Sequence, residues 1–595
     1  MSTLQANINF LNKKFPHVVQ SITNMKADES SVYTERVEKD EAWLEAVEGS
    51  VGSFKLIFMY GFGQGLALID LLEKYPDRWI FVYEPNVATF YDTIEKFNFV
   101  ELFQHPGFKG LAVGEEHLKM LFSSILNYME SDLAFVAHRH YLEQDSNQLY
   151  ELKEEFLKYN QTFEVNQQTM NHFRVQWMQN SMYQLANVLT SPSIENLAGS
   201  LPGSTAVVVG SGPSLQQDIE WLQRMKPHAL IIAAGSSIQV LAKHGIEPHL
   251  TVVMDGGEIN TTIFNNPETL VAPLLITSTA YHGINPQHEG QTIYSVLRND
   301  FVSQYCIDKP KEAFLIEPTS TVTGTAMQAA IALGAKRIIM MGQDLSFPNN
   351  QFYAEGVNHA YLPYLQMKVD EAVSNQLRVE NVHGSLNTTT ASFMFMKEGL
   401  EELIASCPNV QFINSTRNGA KIAGSIFMPT EDVWPLLENE SMEEAAIRNL
   451  INNQKVSVQS QNIVEIRERI TDTVKDFGVV KQELQALKKL LAKAQDLSRS
   501  KPLKAQQVTE QIELAWTKIV NRSWFEPVAD CMIPIELSQF DKQLPVIVTE
   551  KNIVTKTRLI YVHLGELADR ILNMLTEIED IFYVSIERLE KISIA

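Results

Sequence analysis

The sequence predicts an α/β protein with an N-terminal Rossmann-like domain, a central doubly wound, mostly parallel sheet and a C-terminal all-α domain. Three observations predict this fold class. Short apolar runs of strand length alternate with amphipathic segments, glycine-rich turns follow several of these runs, and after Pro429 the runs give way to long amphipathic helices. A length of 595 residues fits several domains. We place them at residues 1–165, 166–429 and 430–595.

The composition is that of a globular protein with several cores, at 45% hydrophobic and 20% charged residues. A net charge of −22 opposes binding to nucleic acid or to an anionic membrane. Cys306, Cys407 and Cys531 lie far apart and form no C-x-x-C pair, so neither a disulfide framework nor a zinc site is expected. The N-terminus lacks a signal-peptide pattern, and no apolar run reaches the roughly 18 residues of a membrane span. We therefore expect a cytoplasmic protein.

The N-terminal segment contains a glycine turn between two predicted strands. The first run, 54–59, leads into Gly61, Gly63 and Gly65, and the second run ends at Glu84. Glycines followed by an acid about 20 residues later match the dinucleotide fingerprint, in which the glycines admit a phosphate and the acid holds a ribose. The same turn also serves simply to pack a helix on a sheet. A helical connector is predicted over residues 142–189.

The central segment carries the clearest strand pattern. Its apolar runs show no alternation, which is typical of strands buried on both faces of a parallel sheet. They span residues 206–209, 230–234, 250–254, 274–276 and 337–341, with amphipathic segments at 215–225, 238–244 and 325–333. The order β-α-β-α-β predicts a doubly wound sheet with a nucleotide site at its carboxyl edge.

The turn after the first central strand is the strongest local signal. Gly210, Ser211, Gly212, Pro213 and Ser214 follow the apolar run directly, and Pro213 stands where a helix would begin. A helix N-terminus directs free amides and partial positive charge at the strand ends, which suits a phosphate. Packing alone needs one glycine here, so the two glycines favour contact with a ligand.

Three missing motifs limit the kinds of nucleotide that this site is expected to bind. There is no G-x-x-x-x-G-K-[ST] loop, which argues against P-loop phosphoryl transfer. The second central strand ends in residues 233–237 without an acid for an adenosine ribose, which argues against NAD. No Asp-x-Asp occurs, so the usual carboxylate pair for a metal-bound diphosphate sugar is absent. A metal-free nucleotide site is therefore expected.

Further polar groups follow later strands. Asp255 ends the third run, although it also suits a turn cap, and Thr323-Gly324 begin an alanine-rich helix. The last run is followed by Gly342 and Asp344. Because these turns share one sheet edge, their side chains are expected to meet.

Four sequence blocks in order resemble the motility-associated factor (Maf) glycosyltransferases, which modify flagellin. The blocks are Gly210 to Leu215, Met254 to Gly257, Thr323 to Ala326 and Gly334 to Asp344. The central segment also resembles the bacterial CMP-sialic acid transferases that build lipooligosaccharide. The resemblance covers the whole chain and implies the three-part layout given above. We expect the C-terminal helices to recognise the acceptor, because they carry long amphipathic faces and nothing that resembles a nucleotide site.

This resemblance implies an inverting O-glycosyltransferase needed for flagellum assembly and motility. Its donor would be a CMP-activated nonulosonic acid of the pseudaminic or legionaminic type, and its acceptor Ser or Thr of flagellin. No cofactor is implied beyond that donor substrate, and a metal is not expected to be required. The alternatives are an S-adenosylmethionine-dependent methyltransferase that uses the N-terminal glycine turn and Glu84, and a non-enzymatic flagellin-binding scaffold.

The resemblance also assigns site residues. His383 would be the base, with His359 as its competitor, Tyr353 would hold the departing phosphate, and Asp255 would lie in the donor pocket. The first of two expected tyrosine positions falls on Ser346. His383 is expected just before a helix over Thr390 to Ala405, whose dipole would keep the ring neutral. The implied nucleotide-binding residues are Gly210, Ser211, Gly212, Pro213, Ser214, Ser236, Ser237, Thr323, Gly324, Gly342 and Asp344.

Overall fold

The structure is a computed structural model that describes residues 2–25, 30–31, 40–129, 133–144, 146–284, 291–358, 362–454 and 460–594. The chain forms two compact units, Met1–Asn171 and His172–Ala595. The second unit contains both the central sheet and the helices that follow Pro429. Within the described ranges, no helix combines the length and apolar character needed to cross a bilayer.

The first unit is built on a four-stranded parallel sheet. Its strands are β1 (Leu56–Tyr60), β2 (Trp79–Glu84), β3 (Phe108–Val113) and β4 (Leu133–Ala137), in the order β3-β2-β1-β4. Alternate side chains of β1 enter two separate cores, because a strand directs successive residues to opposite faces. The helices of this unit are α1 (Thr3–Lys14), α2 (Pro16–Thr23), α3 (Glu41–Val51), α4 (Leu66–Lys74), α5 (Val87–Lys96), α6 (Val100–Gln104), α7 (Leu118–Tyr128) and α8 (Arg139–Gln144).

The predicted helical connector is a single helix, α9 (Ser146–Thr190), which begins in the first unit and ends in the second. In its last part Met178, Met182 and Leu185 join the core of the C-terminal helices. Two polar residues in the same part, Asn180 and Gln184, are also completely buried. Buried amides need hydrogen-bond partners, so this part of α9 has a role beyond apolar packing.

The second unit contains an eight-stranded parallel sheet, which confirms the predicted doubly wound fold. The strands are β5 (Thr205–Val209), β6 (Leu230–Ala234), β7 (Leu250–Val253), β8 (Leu274–Thr277), β9 (Thr292–Ser295), β10 (Arg337–Met341), β13 (Gln411–Asn414) and β14 (Ile426–Phe427). Their order in the sheet is β14-β13-β10-β5-β6-β7-β8-β9. The five predicted runs correspond to β5, β6, β7, β8 and β10.

Helices cover both faces of this sheet. Ala206 and Val208 of β5 enter one core, while Val207 and Val209 enter the other. A small antiparallel hairpin, β11 (Arg378–Glu380) and β12 (Leu386–Thr388), lies outside the sheet. The helices are α10 (Ile219–Met225), α11 (Ser237–Lys243), α12 (Phe301–Ile307), α13 (Val322–Leu333), α14 (Leu362–Asn375) and α15 (Ala391–Ser406).

The strand order reverses at β5. From β5 the chain continues through β6, β7, β8 and β9 on one side, whereas β10, β13 and β14 extend the sheet on the other. The connections that leave β5 and β10 therefore diverge and open a crevice at their carboxyl ends. Ligands of open α/β sheets bind in such crevices.

The C-terminal part is helical, as predicted. Its two long helices, α18 (Ser460–Ser500) and α22 (Ile553–Ile594), pack in one core with α19 (Pro502–Val520), α20 (Phe525–Met532) and α21 (Pro534–Thr549). Two shorter helices, α16 (Thr430–Leu437) and α17 (Ala446–Asn453), instead pack on the sheet. The packing of the sheet therefore continues past Pro429, where the sequence suggests a boundary.

Candidate functional site

A cavity of about 200 Å³ lies at the carboxyl ends of β5, β6 and β10. Nine residues singled out from the sequence line it: Gly210, Ser211, Gly212, Ser236, Asp255, Thr323, Gly342, Asp344 and Tyr353. They come from five separate segments, which the reversal of strand order brings to one place. The cavity is therefore our candidate site.

The turns after β5 and β10 approach each other closely enough to require glycine. The amides of Gly210 and Gly212 donate to Met341 O and Gly342 O, both at 2.8 Å. A Cβ on Gly210 would lie 2.6 Å from Gly342 O, and a Cβ on Gly212 would lie 2.1 Å from an oxygen of Asp344. The sequence interpretation that packing needs only one glycine here is wrong, since both are required by the neighbouring turn.

The turn after β5 also differs from the predicted helix start. Pro213–Gln217 form a short 3₁₀ helix, and the α-helix begins only at Ile219. The amide of Ser214 donates to Asp344 Oδ2 at 3.2 Å, and its hydroxyl donates to Asp344 Oδ1 at 2.5 Å. The carboxylate of Asp344 thus accepts the hydrogen bonds from this turn that the sequence analysis expected a phosphate to accept.

Asp344 is nearly inaccessible to solvent, with 3% of its surface exposed. Burial raises its pKa to about 7, because removal from water disfavours the charged form, and the two hydrogen bonds from Ser214 oppose the rise. Asp344 therefore joins the two turns and titrates near neutral pH.

Hydroxyl groups and a helix N-terminus provide the polar wall of the cavity. Ser236, after β6, donates to the hydroxyl of Ser211, after β5, at 3.0 Å. Helix α13 begins at the cavity, where Thr321, Val322 and Thr323 line it. The amides of this N-terminus carry partial positive charge, which the sequence predicted instead for the turn after β5.

Four predicted nucleotide-binding residues lie behind this wall. Pro213, Ser214, Ser237 and Gly324 are buried and are not among the residues that line the cavity. Ser214 is engaged by Asp344, and a Cβ on Gly324 would lie 3.0 Å from Thr319. These four residues shape the wall.

Asp255 and Tyr353 are the other titratable groups that line the cavity. Asp255 is exposed within the cleft. The surrounding protein partly desolvates its carboxylate, and this raises the pKa of Asp255. Burial of the phenol, and secondarily the charge of Asp255, raises the pKa of Tyr353 to about 12. Tyr353 therefore remains protonated at neutral pH and can donate a hydrogen bond.

Of the two histidines proposed from the sequence, His383 lies among the described residues and does not line the cavity. His383 lies in the turn between β11 and β12, is exposed, and makes a hydrogen bond from its ring Nε2 to Arg417 O at 2.6 Å. The predicted following helix is α15, capped by Thr390, but β12 separates His383 from it. His383 therefore does not directly precede the start of this helix. His359 lies outside the described residues.

Sequence reasoning missed the apolar wall of the cavity. Phe352, Phe393 and Met396 line it, and the rings of Phe352 and Phe393 lie 5.6 Å apart. Both rings also contact Phe347, which follows β10. A cluster of aromatic residues after a central strand is a signal of such a wall, but α15 supplies Phe393 and Met396 from a distant part of the chain.

The acid that follows the N-terminal glycine turn is already bound within the protein. Glu84 is completely buried and accepts hydrogen bonds from the amides of Phe62, Gly63 and Asn86 at 2.8, 3.2 and 3.0 Å, and from the hydroxyl of Tyr141. Burial raises the pKa of Glu84. The acid thus binds its own turn. This arrangement argues against the dinucleotide and S-adenosylmethionine interpretations, because both need the carboxylate of Glu84 for a ligand.

Across the ranges that the structure describes, no group of three or more His, Cys, Asp or Glu side chains is arranged to hold a metal ion.

Comparisons with known proteins agree with this fold. A family model described as "6-hydroxymethylpterin diphosphokinase MptE-like" matches residues 179–350, which include β5 to β10. The solved structure of a Maf glycosyltransferase from Magnetospirillum magneticum AMB-1 is similar over 99% of this chain and 96% of that chain, with a TM-score of 0.52 and 15% identity. At that identity the likeness establishes the fold, and it confirms the Maf-like architecture. No curated protein matches the chain.

Proposed function

Because the chain has the fold of a Maf glycosyltransferase over nearly its whole length, we propose that it is a glycosyltransferase that uses a nucleotide-activated sugar. The observation that carries this proposal is the cavity at the reversal of strand order. It combines serine and threonine hydroxyls, the N-terminus of α13 and a protonated phenol. Those groups suit a bound phosphate and the sugar attached to it.

The proposed donor is a CMP-activated nonulosonic acid of the pseudaminic or legionaminic type. Ser211, Ser236 and Thr323 offer hydroxyls, and the start of α13 offers partial positive charge for the single phosphate. Asp255 offers a carboxylate, which accepts hydrogen bonds from hydroxyl or amino groups of the donor. Tyr353 donates its phenolic hydrogen to the departing phosphate.

The proposed reaction is a single displacement with inversion. The oxygen of an acceptor hydroxyl bonds to the anomeric carbon while the bond from that carbon to the phosphate oxygen breaks. The phosphate leaves as CMP with the electron pair of that bond. The acceptor hydroxyl loses its proton to a base, and Tyr353 and the start of α13 stabilise the charge on the phosphate.

The proposed acceptor is a Ser or Thr side chain of flagellin, modified in the cytoplasm before export. Support comes from the sequence resemblance and from the shared fold. The C-terminal helices α18 to α22 provide a separate core and long polar faces, which suit recognition of a protein acceptor.

Diphosphate transfer is a second candidate, favoured by the name of the family that matches residues 179–350. Such a reaction must hold a triphosphate. The described residues that line the cavity include two carboxylates and no Lys, Arg or His. This charge suits a monophosphate leaving group better than a triphosphate, so we rank diphosphate transfer below glycosyl transfer.

The test is transfer by the purified full-length protein. CMP-pseudaminic and CMP-legionaminic acid are supplied with flagellin, and the mass of flagellin is recorded with and without EDTA. We expect a mass increase that persists in EDTA. Ser236→Ala should weaken CMP binding in calorimetry by about tenfold or more, whereas Ser406→Ala, an exposed serine on α15, should not.

Two outcomes would contradict the proposal. One is unchanged flagellin mass with both donors together with no binding of CMP. The other is formation of a pterin diphosphate from ATP and 6-hydroxymethylpterin. A loss in EDTA that magnesium restores would contradict the metal-free part alone.

A further inference from the structure

Asn180 of α9 joins two loops at the carboxyl edge of the sheet. Its side-chain amide nitrogen donates to Gly256 O at 3.1 Å and to Thr279 O at 3.0 Å. Its side-chain oxygen accepts from the backbone amide of His282 at 3.3 Å and faces His282 Nδ1 at 3.0 Å. This completely buried side chain therefore uses both of its donors and both of its acceptor positions.

This arrangement determines the proton position on His282. Because both amide hydrogens of Asn180 point at carbonyl oxygens, its oxygen must be the atom that faces the imidazole. An oxygen can only accept, so Nδ1 of His282 carries the hydrogen. In the neutral ring Nε2 then holds the lone pair and can accept a proton. An Asn that orients a His in this way is a known arrangement in enzymes that use histidine as a base.

His282 lies beside the wall of the candidate site. The backbone amide of the preceding residue, Tyr281, donates to the backbone oxygen of Asp255 at 3.1 Å, and Asp255 lines the cavity. Gly256, the next residue, is packed so tightly that a Cβ would lie 2.9 Å from Asn180 Nδ2. The loop that carries His282 is thus bound directly to the loop that carries Asp255.

The surroundings of His282 favour the neutral ring. Burial, and secondarily the guanidinium of Arg588, lowers its pKa, while Glu258 opposes this more weakly. Arg588 of α22 lies over the ring of Tyr183, 4.4 Å from its centroid, and the Tyr183 ring contacts His282 edge-on at 4.9 Å. His282 is half-buried and therefore accessible on one side. It lies where the sheet edge meets a helix of the C-terminal part.

We propose that His282, oriented by Asn180, is the general base of the reaction. This inference rests on the proposed function. The acceptor hydroxyl approaches between the donor cavity and the C-terminal helices, its proton passes to Nε2 of His282, and its oxygen bonds to the anomeric carbon as CMP leaves. The imidazolium then returns the proton to water. Asn180 is a positioning residue, because it acts only through His282 and the Asp255 loop.

Activity is tested with the full-length protein and the CMP-nonulosonic acid and flagellin of the previous test. His282→Ala should lower kcat by about 10²-fold to 10⁴-fold, the usual effect of losing a general base, with CMP binding unchanged. Added imidazole should restore part of the rate. His172→Ala, an exposed histidine on the same helix as Asn180, should retain the wild-type rate. Asn180→Ala should lower kcat more than it raises KM.

The tautomer is tested independently of activity. Long-range ¹⁵N–¹H spectra of the histidine-labelled full-length protein, assigned by comparison with His282→Gln, should show Nδ1–H for His282 at pH 7.5. An Nε2–H tautomer overturns the inference whatever the activity. A rate of sugar transfer by His282→Ala within threefold of the wild-type rate also overturns the inference. A large loss of that rate in His383→Ala would then identify His383 as the base. A wild-type protein that transfers no sugar instead contradicts the proposed function.

Discussion

Replacing Asp344 by Asn should remove a pH-dependent loss of stability from the second unit. In the folded chain burial raises the pKa of Asp344 to about 7, from the ordinary value of 3.8 for an aspartate. Between these values the folded state keeps a proton that the unfolded state has released. The folded state therefore binds more protons, and the free energy of unfolding falls as pH rises through this window. An Asn side chain has nearly the same shape, can still accept from the Ser214 amide, and does not titrate.

The magnitude follows from the size of the window. Each pKa unit corresponds to about 1.4 kcal/mol, and the two units between pH 5 and pH 7 therefore correspond to about 3 kcal/mol. Other titrating groups are common to both proteins and cancel in the difference. The stability of Asp344→Asn relative to wild type should thus increase by about 3 kcal/mol from pH 5 to pH 8.

Hydrogen exchange is the appropriate assay, because a chain with several cores need not unfold in one step. Exchange of peptides that cover β5 and β10 reports the opening of the sheet next to Asp344. Urea titrations at pH 5, 6, 7 and 8 give the free energy at each pH. A wild-type to variant difference that stays constant within about 0.5 kcal/mol would refute the buried, proton-retaining state of Asp344.

Two further predictions concern packing around the glycine turns. Gly212→Ala places a Cβ 2.1 Å from an Asp344 oxygen, so the free energy of unfolding measured by calorimetry should fall by about 1–3 kcal/mol. Gly478→Ala is the control, because this position in α18 has open space around it and the substitution should not destabilise the protein. Glu84→Ala removes the acceptor of three backbone amides and should destabilise the first unit by about 3 kcal/mol or more. Exposed Glu116→Ala is its control, and millimolar S-adenosylmethionine should leave the wild-type melting temperature unchanged. Equal melting temperatures for either variant and its control would contradict the reasoning.

The strands of the central sheet could be predicted because each is buried on both faces. A strand such as β5, with five buried residues, needs an uninterrupted apolar run, and that run is visible without any partner. The edge strands β9 and β14, and β13 between β14 and β10, carry no such run. β14, for example, has two residues, neither of them buried, and only its pairing with β13 defines it.

The candidate site was predicted in part for a related reason. Glycine turns and hydroxyls that follow buried strands must meet at one sheet edge, so Gly210, Ser236 and Asp255 were recognisable from their place after a strand. The base was not. His383 follows no central strand, and the hairpin that carries it directs its ring to Arg417 O.

The sequence by itself therefore determined the doubly wound sheet, the helical C-terminal part and the edge at which the candidate site lies, because local apolar patterns and turn residues specify buried parallel strands. Only the tertiary structure decided which polar groups remain for a ligand. Asp344 accepts a hydrogen bond from the amide of Ser214, and Glu84 accepts one from the amide of Phe62 in its own glycine turn. Asn180 of α9 is hydrogen-bonded to His282. Hydrogen bonds between residues far apart in sequence leave no periodic signal, yet a buried polar group must find such a partner.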